Sequence, residues 1–261
     1  MSSSTSAFGS SVIIRASHSS PCKGGSVRLY LASTSPARLA LLRQIGIEPV
    51  VLPSEVDEDA AVERAVAARA AAGIGPLTAD DMVQLLAEAK AEAVCTALGT
   101  GALDDALAAQ DAAGPVDGFI LGGDSAFELD GVAYGKPHLP EVARERWRAQ
   151  RGLTGVLHSG HWLIDHRGGM RRGASGRTDH AELTFADDIT DDEIDAYVAS
   201  GEPLLVAGAF TIDGLAAPFI RTITGAPSAV IGMSLPVLRE LLDGFGVSWT
   251  SLWGPADASR P

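Results

Sequence analysis

An α/β fold built on a mixed sheet is predicted by three observations. Short apolar runs of strand length interleave with amphipathic or alanine-rich helical stretches along the whole chain. Capping residues stand where strands hand over to helices, as at Ser35-Pro36, Thr190 and Ser234. One turn pair, Asp130-Gly131, sits between two β-prone runs and marks a tight hairpin.

The elements follow in order. "RLYLA", Arg28 to Ala32, reads as a buried strand, and Pro36 to Gln44 as a helix with Ser35 at its N-cap, Pro36 at its first position and Gly46 just past its end. Pro49 to Leu52 reads as a second strand, leading into the acidic group Glu55, Asp57, Glu58 and Asp59. Helical segments from about Ala60 to Ala72 and from Asp81 to Leu98 are separated by "GIGPLT", and the low-complexity stretch from Gly99 to Gly118 reads as a surface insertion. Phe119 to Gly122 begins the clearest hairpin. Glu141 to Gln150 reads as a helix, Gly155 to Ile164 as a strand, and "HAELTFA" as a half-buried strand because Ala181, Leu183 and Phe185 share one face. Thr190 and Glu193 form a capping-box pattern for a helix ending near Gly201. "AGAFTIDGLAAPFIRTITG" reads as a further hairpin, and a last helix runs from Ser234 to about Leu242.

At 261 residues the chain can bury a large core, and the organisation expected is an extension over residues 1–26, one domain over 27–248 and a tail over 249–261. The extension is serine-rich with Arg and Lys and no acidic residue, which resembles a transit peptide or a simple disordered extension. A formal net charge of −13 disfavours loose binding to nucleic acid or to an anionic membrane, so any phosphate must be gripped locally. No apolar run approaches the roughly 20 residues of a membrane span. Cys22 and Cys95 are far apart and make no disulfide framework or zinc knuckle, and a cytoplasmic location fits.

Three places could carry chemistry. Ser33, Thr34 and Ser35 precede a helix N-terminus, with Arg38 in its first turn, where the dipole disfavours a cation unless an anion is present. The turn is either plain capping or a phosphate seat. Lys90 interrupts the apolar stripe Val83, Leu86, Val94, Ala97, as a snorkelling stem or as an amine aimed into a cleft. Centring the hairpin on Asp130 and Gly131 pairs Ser125 with Lys136 and brings Asp124 and Lys136 to one open end, as an ordinary ion pair or as a site. His158 and His161 have an HxxH spacing but lie in a strand, where residues three apart face opposite sides, so a metal site there is disfavoured.

Taken together and in order, these motifs resemble the Maf family of nucleoside triphosphate pyrophosphatases. "LASTSPAR" corresponds to the family's LASxSPRR, Asp57-Glu58 to its DE, "LAEAKA" to LAxxKA, and "GGDS" to GADT. Gly135-Lys136-Pro137 is its GKP, "DEIDAYVASGEP" its dEIxxYVxSGEP, and "AGAFTIDG" its AGAYxIQG. The resemblance runs from about Arg28 to Gly246. It implies a long curved mixed sheet in two lobes around a central cleft, frequent homodimers, and hydrolysis of a nucleoside triphosphate to the monophosphate and pyrophosphate with Mg²⁺ or Mn²⁺. By the same resemblance Asp124 is the proton acceptor, Glu58 and Asp124 are metal-linked, and Ser33, Ser35, Arg38, Lys90 and Lys136 meet the triphosphate. A nucleotide-binding regulator of cell division with little turnover is the alternative.

The sequence departs from the family pattern at the positions that help set base preference in the branch acting on dTTP and UTP. Ala37 stands for the first arginine of SPRR, Ser125 for the threonine after the aspartate, and Asp213 for the glutamine of IQG, while Val206 replaces a frequent lysine. An ionised Asp only accepts hydrogen bonds, so Asp213 is expected to favour a base that presents N–H donors, if it faces the base.

Overall fold

The computed structural model describes residues 27–253. The extension, with Cys22, and the last eight residues of the tail lie outside the described residues. The strands are β1 (Arg28–Ala32), β2 (Val50–Val51), β3 (Gly118–Leu129), β4 (Val132–Tyr134), β5 (Thr154–Asp165), β6 (Gly173–Phe185) and β7 (Ile220–Gly225). The helices are α1 (Pro36–Gln44), α2 (Glu58–Ala71), α3 (Ala79–Leu98), α4 (Asp104–Ala108), α5 (Pro140–Gln150), α6 (Asp191–Ala199), α7 (Pro227–Ile231) and α8 (Leu235–Gly244). They form the α/β fold with a mixed sheet that the sequence predicts. Strand order is β2-β1-β3-β5-β6-β7, with β4 on the far part of β3. The pairs of β1 with β2 and β3 are parallel, and the rest antiparallel.

Local chemistry explains where the helices start. Ser35, Thr78, Thr190 and Ser234 each place a side-chain oxygen on a first-turn N–H, with capping boxes at Thr78/Asp81 and Thr190/Glu193. The Asp130-Gly131 turn is present, both residues having positive φ. The long strands β3, β5 and β6 run through two lobes because their apolar residues change partners along the way. Leu29, Leu31, Phe119, Leu121 and Leu163 pack against α1 and α8, and Tyr30, Ile120 and Ile164 pack on the opposite face beside α3. Further along, Phe127, Leu157, Leu183 and Phe185 belong to a separate core with Trp147 of α5 and Ile194 and Tyr197 of α6. Between Leu121 and Phe127, strand β3 passes from one core to the other.

Two expectations are corrected. The "AGAFTIDG…TITG" segment is no hairpin: Glu202–Leu205, Ala207–Ala209 and Ala217–Phe219 are 3₁₀ turns, and only Ile220–Gly225 is a strand, paired with β6. Gly208 and Ala209 both adopt positive φ, which breaks an extended run there. The low-complexity stretch is built into the first lobe, since Leu107, Ala112 and Val116 are buried beside α3 and the Gln110 side chain bonds both Val51 N and Val51 O at 2.8 Å. Trp249–Leu252 makes a final 3₁₀ turn with Leu252 buried. Among the described residues no helix is long and apolar enough to cross a membrane.

Candidate active site

Glycines on the β strands set the position of α3. A Cβ on Gly122 would lie 2.1 Å from Ala87 O, and one on Gly160 would lie 2.2 Å from Val83 O. Gly176 likewise sits under the Gln84 side chain. Bare backbone on β3, β5 and β6 therefore lets α3 lie directly on the sheet, and this contact brings Lys90 down beside Asp124.

Successive residues of β3 point to opposite faces, so Asp124 goes to the α3 side and Ser125 to the α1 side. Lys90 Nζ donates to Asp124 Oδ1 at 2.6 Å and also meets Glu58 Oε1 at 2.8 Å. Lys90 is buried, and the Asp124 side chain is only 13 % exposed, whereas that of Glu58, the first residue of α2, is half exposed. Burial pushes the Asp124 carboxyl above the ordinary carboxylate range, against the opposing pull of Lys90 and Arg38.

On the other side the Arg38 guanidinium is buried, and burial lowers its pKa. Its Nε donates to Gly232 O at 2.7 Å, Nη1 to Ser33 Oγ at 3.2 Å and Nη2 to Ser125 Oγ at 3.0 Å. Ser125 continues the network to Ser159 Oγ at 3.2 Å, and Ser159 donates to Ala229 O at 2.8 Å. Ser35 Oγ accepts from Arg38 N, and Ser35 N donates to Ser33 Oγ at 3.1 Å. The arginine in the first turn of α1 thus has an internal explanation: its head leaves the helix axis and ties α1 to β3 and to Gly232, just after α7.

These groups meet where β3 lacks a strand on one edge. The ladder with β1 ends at Ala32–Gly122 and the ladder with β4 starts at Phe127–Tyr134, so Gly123 to Ala126 have no strand partner on that side. This stretch joins the core of the first lobe to that of the second. The expected pairing of Ser125 with Lys136 does not occur; Ser125 is opposite Ser159 of β5. After Tyr134 the chain leaves β3 because Gly135 O accepts from Arg146 Nη1 at 2.6 Å and from Gly208 N at 3.3 Å, and Pro137 has no N–H for a ladder. Lys136 is exposed and makes no hydrogen bond or ion pair among the described residues.

Ala37 is half-buried on α1 beside Arg38, and Asp213 is exposed in the second lobe with its carboxylate accepting from the Thr211 hydroxyl. The loop that carries Asp213 is gripped from three sides: Trp147 Nε1 donates to Ala209 O at 2.7 Å, Gln150 Nε2 to Gly208 O at 2.6 Å, and Leu215 N to Glu202 Oε2 at 3.0 Å. The structure thus gathers Ser33, Ser35, Arg38, Ser125, Lys90, Asp124 and Glu58, and places Lys136 and Asp213 on the second lobe. Sequence reasoning missed Ser159, Gly232 and the glycine seat of α3. The doubled glycine of "GGDS" was the available signal for that seat.

The HxxH pair separates as strand geometry requires. His158 Nδ1 bonds Asp80 Oδ1 at 2.7 Å on the α3 side. His161 is fully buried on the other side, where Nε2 accepts from Ser234 N at 2.8 Å and Nδ1 bonds Arg177 O at 3.1 Å. Both ring nitrogens of His161 are occupied, so it offers no ligand to a metal, and burial pushes its pKa down to about 4.

Fold and site together define a two-lobed α/β protein in which carboxylates and an amine on one face of the sheet stand across β3 from a guanidinium and hydroxyls on the other. Residues 28–245 match the family model of the Maf-like proteins, and the chain belongs to that family. It is 61 % identical over 233 residues to a nucleoside triphosphate pyrophosphatase of Leifsonia xyli, covering 89 % of this chain and 100 % of the relative. It is 46 % identical over 231 residues to a protein of the same name from Streptomyces coelicolor, covering 88 % and 96 %. A third relative of that name, from Salinispora tropica, is 44 % identical over 235 residues, covering 90 % and 91 %.

Proposed function

We propose that this chain is a nucleoside triphosphate pyrophosphatase that hydrolyses its substrate between the α and β phosphates, giving nucleoside monophosphate and pyrophosphate, as a house-cleaning enzyme. The observation that carries the reading is the Asp124 carboxylate, buried against Lys90 on the unpaired edge of β3, with the Arg38 guanidinium acting on it from across the sheet. The names of the relatives agree with it.

In this reading the triphosphate lies along the open edge of β3. Three of the five N–H groups of Arg38 are engaged within the protein, and two remain for phosphate oxygens. Ser33 and Ser35 at the start of α1 add hydroxyls and the positive end of the helix dipole. Lys136, without a partner among the described residues, is a mobile cation for the outer phosphates. Water attacks the α-phosphorus and gives its proton to Asp124, whose raised pKa makes it a better acceptor than an exposed carboxylate. The bond from the α-phosphorus to the oxygen bridging to the β-phosphorus breaks, and pyrophosphate leaves with that oxygen. Lys90 and Arg38 face the charge that develops, already in place and partly shielded from water.

The donor set fits a Mg²⁺ or Mn²⁺ ion brought with the substrate. Asp124 and Glu58 supply hard carboxylate oxygens, and Mg²⁺ is commonly held by one or two carboxylates plus substrate phosphates. No group of three or more His, Cys, Asp or Glu among the described residues forms an all-protein cage. When bound, the ion would supply Lewis-acid polarisation of the phosphates.

The same reading has the enzyme act in the cytoplasm, able to pair as a homodimer, and without nucleic-acid partners; the acidic balance of the chain supports the last of these. Pyrophosphate release from dTTP, UTP, CTP, GTP and 7-methyl-GTP with Mg²⁺ or Mn²⁺ tests the activity. Nucleotide binding without release from any of them would replace the enzyme by the nucleotide-binding regulator.

A further inference from the structure

We propose that Lys90 is a stand-in cation: in the nucleotide-free protein its ammonium holds Asp124 and Glu58 and keeps a divalent metal out, and an arriving triphosphate draws the ammonium away so that metal and nucleotide enter together. The inference rests on the pyrophosphatase reading and adds to it an order of binding.

Three observations carry it. A single nitrogen, Lys90 Nζ, lies 2.6 Å from Asp124 Oδ1 and 2.8 Å from Glu58 Oε1, so the oxygens suited to a metal are already engaged by a cation. The lysine is buried, and the glycine seat of α3 fixes the base of its stem, so it remains beside these carboxylates in the resting protein. Arg38 acts electrostatically on the same two carboxylates. Within this cluster two carboxylates against one ammonium and one guanidinium sum to a formal charge of zero, so the four groups themselves carry no net charge to draw a free divalent ion.

A divalent ion cannot share both oxygens with the ammonium, because it would sit within a few ångströms of a like charge in a poorly solvated place. A triphosphate changes the balance by bringing close to four negative charges. The lysine head, on a flexible four-carbon stem with one N–H still unengaged, can turn to a phosphate oxygen while α3 stays seated. The two carboxylates are then released at the moment the phosphates need neutralising. A metal with no nucleotide to serve would gain nothing in this cleft.

The test is Mn²⁺ binding to the full-length protein, followed by the loss of the free-ion signal in electron paramagnetic resonance. Without nucleotide, wild type is expected to bind Mn²⁺ weakly and Lys90→Met at least about tenfold more tightly. Adding Glu58→Gln to Lys90→Met is expected to reverse most of that gain. Lys90→Gln, which keeps a polar head without the charge, is expected to behave as Lys90→Met and serves if the apolar variant fails to fold. Scored against a protein-free control for the Mn²⁺ that the analogue binds by itself, an α,β-methylene triphosphate analogue is expected to raise the affinity of wild type far more than that of either lysine variant. Equal Mn²⁺ affinity in wild type and the lysine variants overturns the proposal, as does wild type binding Mn²⁺ equally well with and without the analogue. Turnover is scored separately: wild type that never releases pyrophosphate defeats the enzyme reading, whereas a turning-over wild type with unchanged Mn²⁺ affinity in the variants defeats only this inference.

Discussion

Replacing Gly122 with alanine should unseat α3 and, with it, the lysine that bridges Asp124 and Glu58. The added Cβ would lie 2.1 Å from Ala87 O and 3.0 Å from both Ala91 Cβ and Ala91 N. Ordinary contact begins at 3.4 Å, so the helix must back away by about 1 Å over the turn that includes Lys90. Overpacking of this kind costs about 1–3 kcal/mol. Alanine is the better strand residue by about 0.5–1 kcal/mol, which leaves a net loss of roughly 1–2 kcal/mol. At about 2–4 °C per kcal/mol for a chain of this size, Tm should fall by about 2–8 °C. The larger effect is on catalysis, because a misplacement of about 1 Å can lower the rate about 100-fold. Thermal melting and pyrophosphate release on the same preparation read both effects. Gly75→Ala, whose Cβ would meet nothing within 4 Å, is the control and should change neither. Unchanged Tm with full activity in Gly122→Ala would refute the seating of α3 on bare backbone.

Five further outcomes can be measured directly. Asp124→Asn should bind a non-hydrolysable triphosphate yet lose about 10²- to 10⁴-fold in kcat, and full activity would remove Asp124 from the proton-acceptor role. In wild type the acidic limb of kcat/KM should lie above the ordinary carboxylate value of about 3.9, since burial raises the Asp124 pKa. Arg38→Lys keeps the charge but cannot reach Ser33, Ser125 and Gly232 O together, so KM should rise and stability fall by about 1–3 kcal/mol in denaturant titration. His161 has its folded pKa lowered to about 4 from 6.5, so the unfolded chain binds the extra proton between those values and stability falls as pH drops through that window, by up to about 3 kcal/mol. Urea midpoints at pH 4.5, 5.5 and 7 in wild type and His161→Gln should converge at low pH. Asp213→Gln should change the ranking of dTTP, UTP, CTP, GTP and 7-methyl-GTP; an unchanged ranking would take Asp213 out of base selection.

The local rules served best where one residue decides one backbone group. Ser35, Thr190 and Ser234 cap the helices expected of them, and Asp130-Gly131 turns the hairpin. They failed where a distant partner competes. The hairpin register places Ser125 opposite Lys136 only if the ladder continues, and Arg146 with Gly208 takes the carbonyl of Gly135 instead. The "AGAFTIDG" run has strand composition, but Trp147 and Gln150 hold its carbonyls in 3₁₀ turns. Arg38 in the first turn of α1, which dipole grounds alone assign to an anion, also has three internal acceptors that no local rule shows, from the residue after β1, from β3 and from the residue after α7.

The sequence alone determined the α/β class, the caps, the family motifs and the identity of the charged and hydroxyl side chains, because each depends on residues close in the chain. Only the tertiary structure decided that Lys90 bridges Asp124 and Glu58, that Arg38 lies across the sheet from them, and that Lys136 and Asp213 stand on the second lobe. Those outcomes depend on helix α3 settling onto three glycines from three strands, a contact between residues as far apart as Ala87 and Gly122 or Val83 and Gly160. No local propensity encodes such a contact, since it arises from the space that missing side chains leave once the sheet has formed.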